Sequence, residues 1–522
     1  MHRLLPIILL VATLIVAPAH SKTLRWTSQG DPLTMDPHAQ NEGLTISVMN
    51  QIYEALVRRD RNWKLVPELA VSWTNVSPTV WRFKLRSNVK FHGGQALTAD
   101  DVVFSLNRAM APASNFKSNI VGISKVKKID DLTVEIITNG PNPILLAQLS
   151  TVRIMSHPWA VEHKAVAPQN YAAKEETFAA RNTNGTGPFM LKSREPDVKT
   201  VLAANPHWWG KREGNVTDVV YLPIAADATR LAALASGEVD FVLDPSPQDI
   251  ARLKSTAGIK IVEGPENRVI FLGFDQFRDE LLYSNVKGKN PFKELGVRAA
   301  IYQVINVEAI KTKIMRGLAI PTGSLVAPQV SGYSTEAAHR EPFNLVEARK
   351  ILAEAGYPNG FQVTLDCPNN RYINDVDVCQ AIAAMLAHIG IEVKLNLLPK
   401  AQFFSKIQKY DTSFYLLGIL PTTHDAWNSL FSMAHSQGWE GGGDWNIGRY
   451  ADTEMDSLID AIRVEMNSTK RNKLIEDALL LHNEDVVHIP LYQQVTPWAM
   501  RANVRVVHTP DNFLELRWVN ID

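Results

Sequence analysis

Residues 361–397 constrain the fold more tightly than any other stretch. Phe361, Val363, Leu365 and Cys367 alternate as in a strand, Val378, Ile382, Met385 and Ile389 recur at helical spacing, and Ile391, Val393, Leu395 and Leu397 alternate again. Strand, helix and strand in that order make a βαβ unit, whose crossover sets the two strands parallel in one sheet. Asn374 stands where it caps the helix. The preceding helix has Asn344 three residues before Glu347, with Leu345, Ala348, Leu352 and Ala355 on one face, and ends at Gly356 and Pro358. A second unit spans 219–243, with a helix opened by Asp227 and carrying Leu231, Leu234 and Ala235 on one face. Such a chain belongs to the α/β class. In open α/β sheets ligands sit beyond the carboxyl ends of strands, which puts the 368–374 loop at a cleft.

Residues 67–110 carry denser local signals. Trp81, Phe83 and Leu85 alternate with Arg82, Lys84 and Arg86, and Val89-Lys90-Phe91 repeats the alternation up to His92-Gly93-Gly94, which predicts a hairpin. Thr98, three residues before Asp101, caps a helix with Val102, Val103, Leu106, Ala109 and Met110 on one face. By themselves these features describe a small α+β unit without chemistry. Their wording is more specific. Ala70, Ser72-Trp73, Trp81, Phe83, Leu85-Arg86, Val89-Lys90-Phe91-His92, Gly94 and the LTADDV of 97–102 resemble the signature of the family 5 bacterial extracellular solute-binding proteins, the dipeptide-, oligopeptide-, nickel- and glutathione-binding subunits of ABC importers. The NTNGTGP of 182–188 resembles that family's GTGP turn, and the NPHWWG of 205–210 is a further phrase of it.

The resemblance covers essentially the whole mature chain. It implies a periplasmic-binding-protein-like type II fold, with two lobes, a hinge and an inserted extra domain, three domains in all. Residues 22–57, 186–268 and 495–522 are then lobe I, 58–185 the inserted domain and 269–494 lobe III. The alternating 514–519 segment is expected to complete lobe I as a strand. The implied partners are an inner-membrane ABC permease and its ATPase subunits, and the implied state is a monomer.

Composition agrees. With 522 residues, 45% of them hydrophobic and 21% charged, the chain can bury more than one core. Its 54 basic and 54 acidic residues cancel, leaving no electrostatic case for nucleic acid or an anionic membrane as partner. Residues 1–21 read as a cleavable signal peptide: His2 and Arg3, an apolar run over 4–16 that is short for a bilayer span, then Ala17-Pro18-Ala19. No cysteine stands at the cleavage point to carry a lipid, so the expected location is the periplasm. Cys367 and Cys379 are the two cysteines, and in an exported protein such a pair reads as a disulfide.

No catalytic pattern emerges. G-x-S-x-G, H-E-x-x-H and G-x-x-x-x-G-K are all missing, and the fourteen histidines show no metal-ligand spacing, so neither cofactor nor metal is implied. The readings left are a non-enzymatic solute receptor and a secreted hydrolase with an unrecognised site.

The resemblance also locates ligand contacts. Peptide receptors of the family pair the ligand backbone with strand edges, here placed at Leu417 and Gly418 of the 414–419 strand. Dipeptide-binding relatives carry an S-G-T-T phrase that touches ligand, and the matching Asn41-Glu42-Gly43-Leu44 keeps the glycine and loses the hydroxyls. Their D-x-G-D-P phrase, whose first aspartate meets the peptide ammonium, corresponds to Thr422-Thr423-His424-Asp425-Ala426. Thr422 thus replaces the carboxylate. Asp425 is either a second ammonium partner or the N-cap of the helix that begins near Trp427, itself a candidate on this wall. Their R-x-Y-N phrase, with its carboxylate-binding arginine, is similar to Arg371-Tyr372-Ile373-Asn374. The expected solute is a small peptide or peptide-like molecule; a metal chelate or a glutathione-like or opine-like compound is the alternative.

Overall fold

The computed structural model describes residues 21–171, 173–438 and 442–522. The expected signal peptide lies outside them, apart from Ser21. Two long strands carry the chain between the halves of the molecule: Ile259–Phe274 leads out and His488–Arg501 leads back. They pair antiparallel from Ile259 opposite Arg501 to Gly273 opposite His488, with a register shift between Pro265 and Val269. Such a shift breaks the ladder and lets paired strands bend.

Each crossing strand serves two cores. Trp498 and Met500 pack with Leu24, Trp26, Phe189 and Phe241, whereas Ile489 and Leu491 pack with Ile270, Phe274, Phe292, Leu365 and Phe414. Burial of each such side chain contributes about 1.5–3 kcal/mol, so the crossing strands are anchored in both halves.

The lobe after the crossing contains the expected βαβ unit. Gln362–Pro368 and Glu392–Leu398 pair in parallel around the helix Asp375–Ala387. Asn374 does not cap that helix. It sits at φ 52° without a side-chain cap bond, and Asp375 instead accepts the backbone N–H groups of Arg371 and Tyr372 at 2.9 and 3.1 Å. Asn344 caps its own helix as expected, accepting from Glu347 N at 3.1 Å. The Cys367–Cys379 disulfide ties the strand end to the helix, with Cα atoms 6.7 Å apart.

In the other half, Asp218–Pro223 and Phe241–Leu243 are parallel but both flank Thr23–Ser28 rather than each other. Asp227 begins its helix without capping it, and is ion-paired with Arg230. The 514–519 segment is no strand. Leu516–Trp518 is a 3₁₀ turn, because the side-chain amide of Gln51 takes the backbone groups of Leu514 and Leu516 that a neighbouring strand would have paired.

A separate four-stranded antiparallel sheet, Ala70–Ser77, Val80–Leu85, Thr133–Thr138 and Ile123–Asp130, has its own core around Phe83, Phe91, Leu106 and Ile136. The hairpin expected between 81–86 and 89–91 does not form. Val80–Leu85 is already paired on both edges, by Ala70–Ser77 and Thr133–Thr138. Residues 89–97 fold into a turn closed by Phe91 N to Gln95 O and Leu97 N to Val89 O. The Thr98–Asp101 capping box is present on the helix Ala99–Met110. Met155, Trp159 and Ala179, inside the 58–185 range, pack on the core of the Thr23–Ser28 half.

The family phrases meet at one seam. His92 N donates to Gly185 O at 2.8 Å and His92 Nε2 bonds Gly187 O at 3.0 Å. Burial holds the imidazole down at about 4, so it is neutral and donates there. A Cβ on Gly185 would lie 2.1 Å from Ile52 O, which excludes any larger residue. Behind them the buried Glu54 accepts from Trp208 Nε1 at 3.0 Å, Trp209 Nε1 at 2.9 Å and Thr186 Oγ1 at 2.8 Å. The paired tryptophans are structural anchors.

Candidate functional site

Between the halves lies a cleft of about 1900 Å³, roughly twice the upper end of ordinary small-molecule pockets. It has room for more than a single amino acid. One wall is Gly43 and Leu44, where Glu42 caps the helix Gly43–Ile52 by accepting from Leu44 N and Thr45 N at 3.1 and 2.9 Å. The opposite wall is the loop after Gln362–Pro368 together with the end of the strand Phe414–Ile419. The cleft therefore lies beyond the carboxyl end of that parallel strand, where the sheet rule places it.

Of the expected contacts, Gly43, Leu44, Arg371, Leu417, Gly418 and Thr422 line the cleft, and Asp425 and Trp427 do not. Asp425 is 4% exposed. It caps the helix Ala426–Met433 through Trp427 N at 2.9 Å and is ion-paired with Arg471. That satisfies the carboxylate on both sides and leaves no oxygen for a ligand ammonium. Trp427 is buried, stacks on Phe431 at 4.6 Å and donates Nε1 to Ile459 O at 3.2 Å. Thr422 Oγ1 and N both reach Asn428 Oδ1, at 3.4 and 3.0 Å.

Gly418 is less available than a free strand edge would be. Its N–H donates to Tyr372 Oη at 2.9 Å, and a Cβ there would lie 2.8–2.9 Å from Ile270 and the Tyr372 ring. Glycine lets the tyrosine lie against the strand. Leu417 points into a core with Phe271, Phe403 and Tyr415, so only its backbone is offered.

Arg371 is an exposed cation on this wall. Among the described residues its guanidinium has neither an ion-pair partner nor a hydrogen bond, and its carbon lies 5.1 Å from the centroid of the Tyr372 ring. Its backbone is held: Arg371 N donates to Asp375, and the disulfide closes the loop. The Arg268 guanidinium, then partial enclosure, lowers its pKa, but a guanidinium stays charged throughout the physiological range.

A junction near the bend went unforeseen. Arg59 Nη2 donates to Thr423 O at 3.0 Å, Trp63 meets His424 edge to face at 4.9 Å, and Asn267 Nδ2 donates to His424 Nδ1 at 3.0 Å. Burial and the Arg59 charge hold His424 well below its ordinary pKa. These contacts join the two-stranded hairpin of Val57–Arg59 and Leu65–Pro67, the crossing strand and the far lobe. A hint in the chain is the polar run Glu266-Asn267-Arg268, which directly precedes the apolar Val269-Ile270-Phe271-Leu272.

Residues 64–441 match the model of the bacterial extracellular solute-binding proteins, family 5. The dipeptide-binding protein of Escherichia coli K12 is 27% identical over 509 residues, covering 91% of this chain and 90% of the relative. Heme-binding protein A of Haemophilus influenzae is 26% identical over 525 residues, covering 94% and 91%. Among solved structures, HbpA2 from Haemophilus parasuis superposes with a TM-score of 0.81 at 24% identity over 96% of this chain and 100% of that one. DppA from Helicobacter pylori in complex with the peptide STSA gives 0.79 at 23% over 96% and 98%. The fold is the type II periplasmic-binding fold of those structures, and the chain belongs to the family 5 bacterial extracellular solute-binding proteins.

Proposed function

We propose that this protein is a periplasmic receptor that encloses a small peptide or peptide-like solute between its lobes and delivers it to an inner-membrane permease driven by ATPase subunits. It acts as a monomer, freed by cleavage of its signal peptide, and does no chemistry on its cargo. The observation that carries the reading is Arg371: an exposed guanidinium without a carboxylate partner among the described residues, fixed at the cleft and suited by its planar fork to an anionic end group. The dipeptide-binding relative, the peptide-bound solved structure and the large cleft support a peptide-sized ligand. The two-lobed build with paired crossing strands supports closure around it. No helix among the described residues is long and apolar enough to cross a membrane, so delivery requires a separate permease.

A second reading has an observation of its own. Asp425 is consumed by Arg471 and Thr422 is neutral, so the segment expected to meet a ligand ammonium offers it no carboxylate, as suits an amine-free or opine-like solute.

Thermal denaturation with dialanine, trialanine, their N-acetyl forms and glutathione tests both. A melting temperature that climbs with peptide concentration, with the peptide recovered intact, is the expected result. Preference for the acetylated forms selects the second reading. Recovery of cleaved peptide would return the protein to the hydrolases.

A further inference from the structure

Two cations lie against the ring of Tyr372. Arg371 approaches its ring from the cleft loop at 5.1 Å, and Arg268 approaches it from the crossing strand at 5.9 Å. The ring is 8% exposed and pinned through Oη to Gly418, so it is a fixed plate. Arg268 spends Nε and Nη2 on Glu266, at 3.1–3.3 Å. Glu266 is buried and further held by Gln494 Nε2 at 2.8 Å. Arg268 Nη1 makes no hydrogen bond among the described residues, and the side chain lines the cleft. The nearby Asp375 carboxylate is engaged by the backbone N–H groups of Arg371, Tyr372 and Val376. Glu266 is thus the carboxylate ion-paired with Arg268, and Arg371 has no ion-pair partner among the described residues. The Arg268 guanidinium is the first cause that lowers the Arg371 pKa, ahead of burial, whereas Glu266 keeps Arg268 charged against its own burial, so Arg371 is the less compensated of the two.

We propose that Arg268 is a second anion anchor: it and Arg371 together hold one carboxylate end of the ligand, so the cleft selects solutes bearing that group and binds it across the boundary between the crossing strand and the lobe. The inference rests on the reading of Arg371 as a ligand anchor and extends it to a residue on the bend. It also gives closure a direct stimulus. A carboxylate that touches both arginines fixes the crossing strand relative to the loop that the disulfide holds, which neither arginine does alone.

The test uses two acid and amide pairs, glutarate with glutaramide and dialanine with dialanine amide, titrated by calorimetry and thermal shift at constant ionic strength. The proteins are wild type, Arg268→Lys, which keeps the charge beside Glu266, and the neutral pair Glu266→Gln with Arg268→Gln, which leaves no buried carboxylate unpaired. The expected result is that the wild type prefers the acids at least tenfold, and that both variants lose at least fivefold in acid affinity while amide affinity moves less than twofold. Variants that bind the acids as the wild type does would overturn the proposal, and so would a wild type indifferent between glutarate and glutaramide. If glutarate binds in an Arg268-dependent way and dialanine does not bind, the peptide reading falls and this one stands. If dialanine binds with an acid preference untouched by Arg268, the peptide reading stands and this one falls.

Discussion

Arg471 clasps Asp425 with two parallel hydrogen bonds, Nη2 to Oδ1 at 2.8 Å and Nη1 to Oδ2 at 2.9 Å, with both side chains nearly excluded from water. Removing one charge of a buried pair strands the other, at a cost of about 3–5 kcal/mol. Asp425→Asn is therefore expected to lower stability in urea denaturation by about that amount, while ligand affinity of the folded fraction stays within twofold. A stable variant with weakened binding would move Asp425 back into the site.

Arg371→Ala should act in the opposite way. The side chain is exposed and its guanidinium holds no ion pair or hydrogen bond among the described residues, so melting temperature is expected to hold. Affinity for a carboxylate-bearing ligand should fall by about 2–5 kcal/mol, because the ligand anion loses its partner in the closed cleft. The corresponding amide should lose far less. Calorimetry on both ligands makes the measurement, and equal losses would take Arg371 out of the site.

The Cys367–Cys379 bond closes a short loop that carries Arg371. In the chain-entropy model, opening a loop of this size costs about 3 kcal/mol. Cys367→Ser with Cys379→Ser is expected to lower stability by that order and to weaken ligand binding as well, since the loop is then ordered only on binding. Denatured, unreduced wild-type protein should show no free thiol in a colorimetric assay.

Glu54 sets a pH dependence. Burial first, then the neighbouring Glu68, pushes its carboxyl up to about 7, against bonds from Trp209, Thr186 and Trp208 that favour the anion. The folded state therefore keeps a proton that the unfolded chain releases near pH 4.5. Stability from this group is greatest below that pH and falls as pH rises towards 7, by on the order of 3 kcal/mol. Glu54→Gln should flatten that part of the curve, whatever it does to absolute stability, since an amide nitrogen then faces indole donors. Urea midpoints from pH 5 to 8 on both proteins make the comparison, and parallel curves would assign the slope elsewhere.

Local chemistry was readable along the chain wherever neighbouring residues decide the outcome. The Thr98–Asp101 box, the Asn344 cap, the alternation of 361–367 and 391–397 and the reach from Cys367 to Cys379 involve groups a few residues apart, and periodicity or spacing reports them directly. The family phrases at 67–110, 182–188 and 205–210 were legible as wording. Their physical reason was not, because His92, Gly185, Glu54 and Trp209 meet only in three dimensions.

Other outcomes were set by partners far away in sequence. Val89-Lys90-Phe91 has the pattern of a strand, but Val80–Leu85 had both edges taken by 70–77 and 133–138, the latter some fifty residues on. The 514–519 segment alternates, yet Gln51 intercepts its backbone. Asp425 lines no cleft because Arg471, 46 positions later, reaches it first. Arg268 and Arg371 meet on one tyrosine only because the strand that crosses between lobes passes beside the loop after 362–368. A residue's pattern reports its own preference and its near neighbours; which distant group satisfies its charge or its backbone is decided by packing, and in this protein that decision separates the residues that face the ligand from those that hold the lobe together.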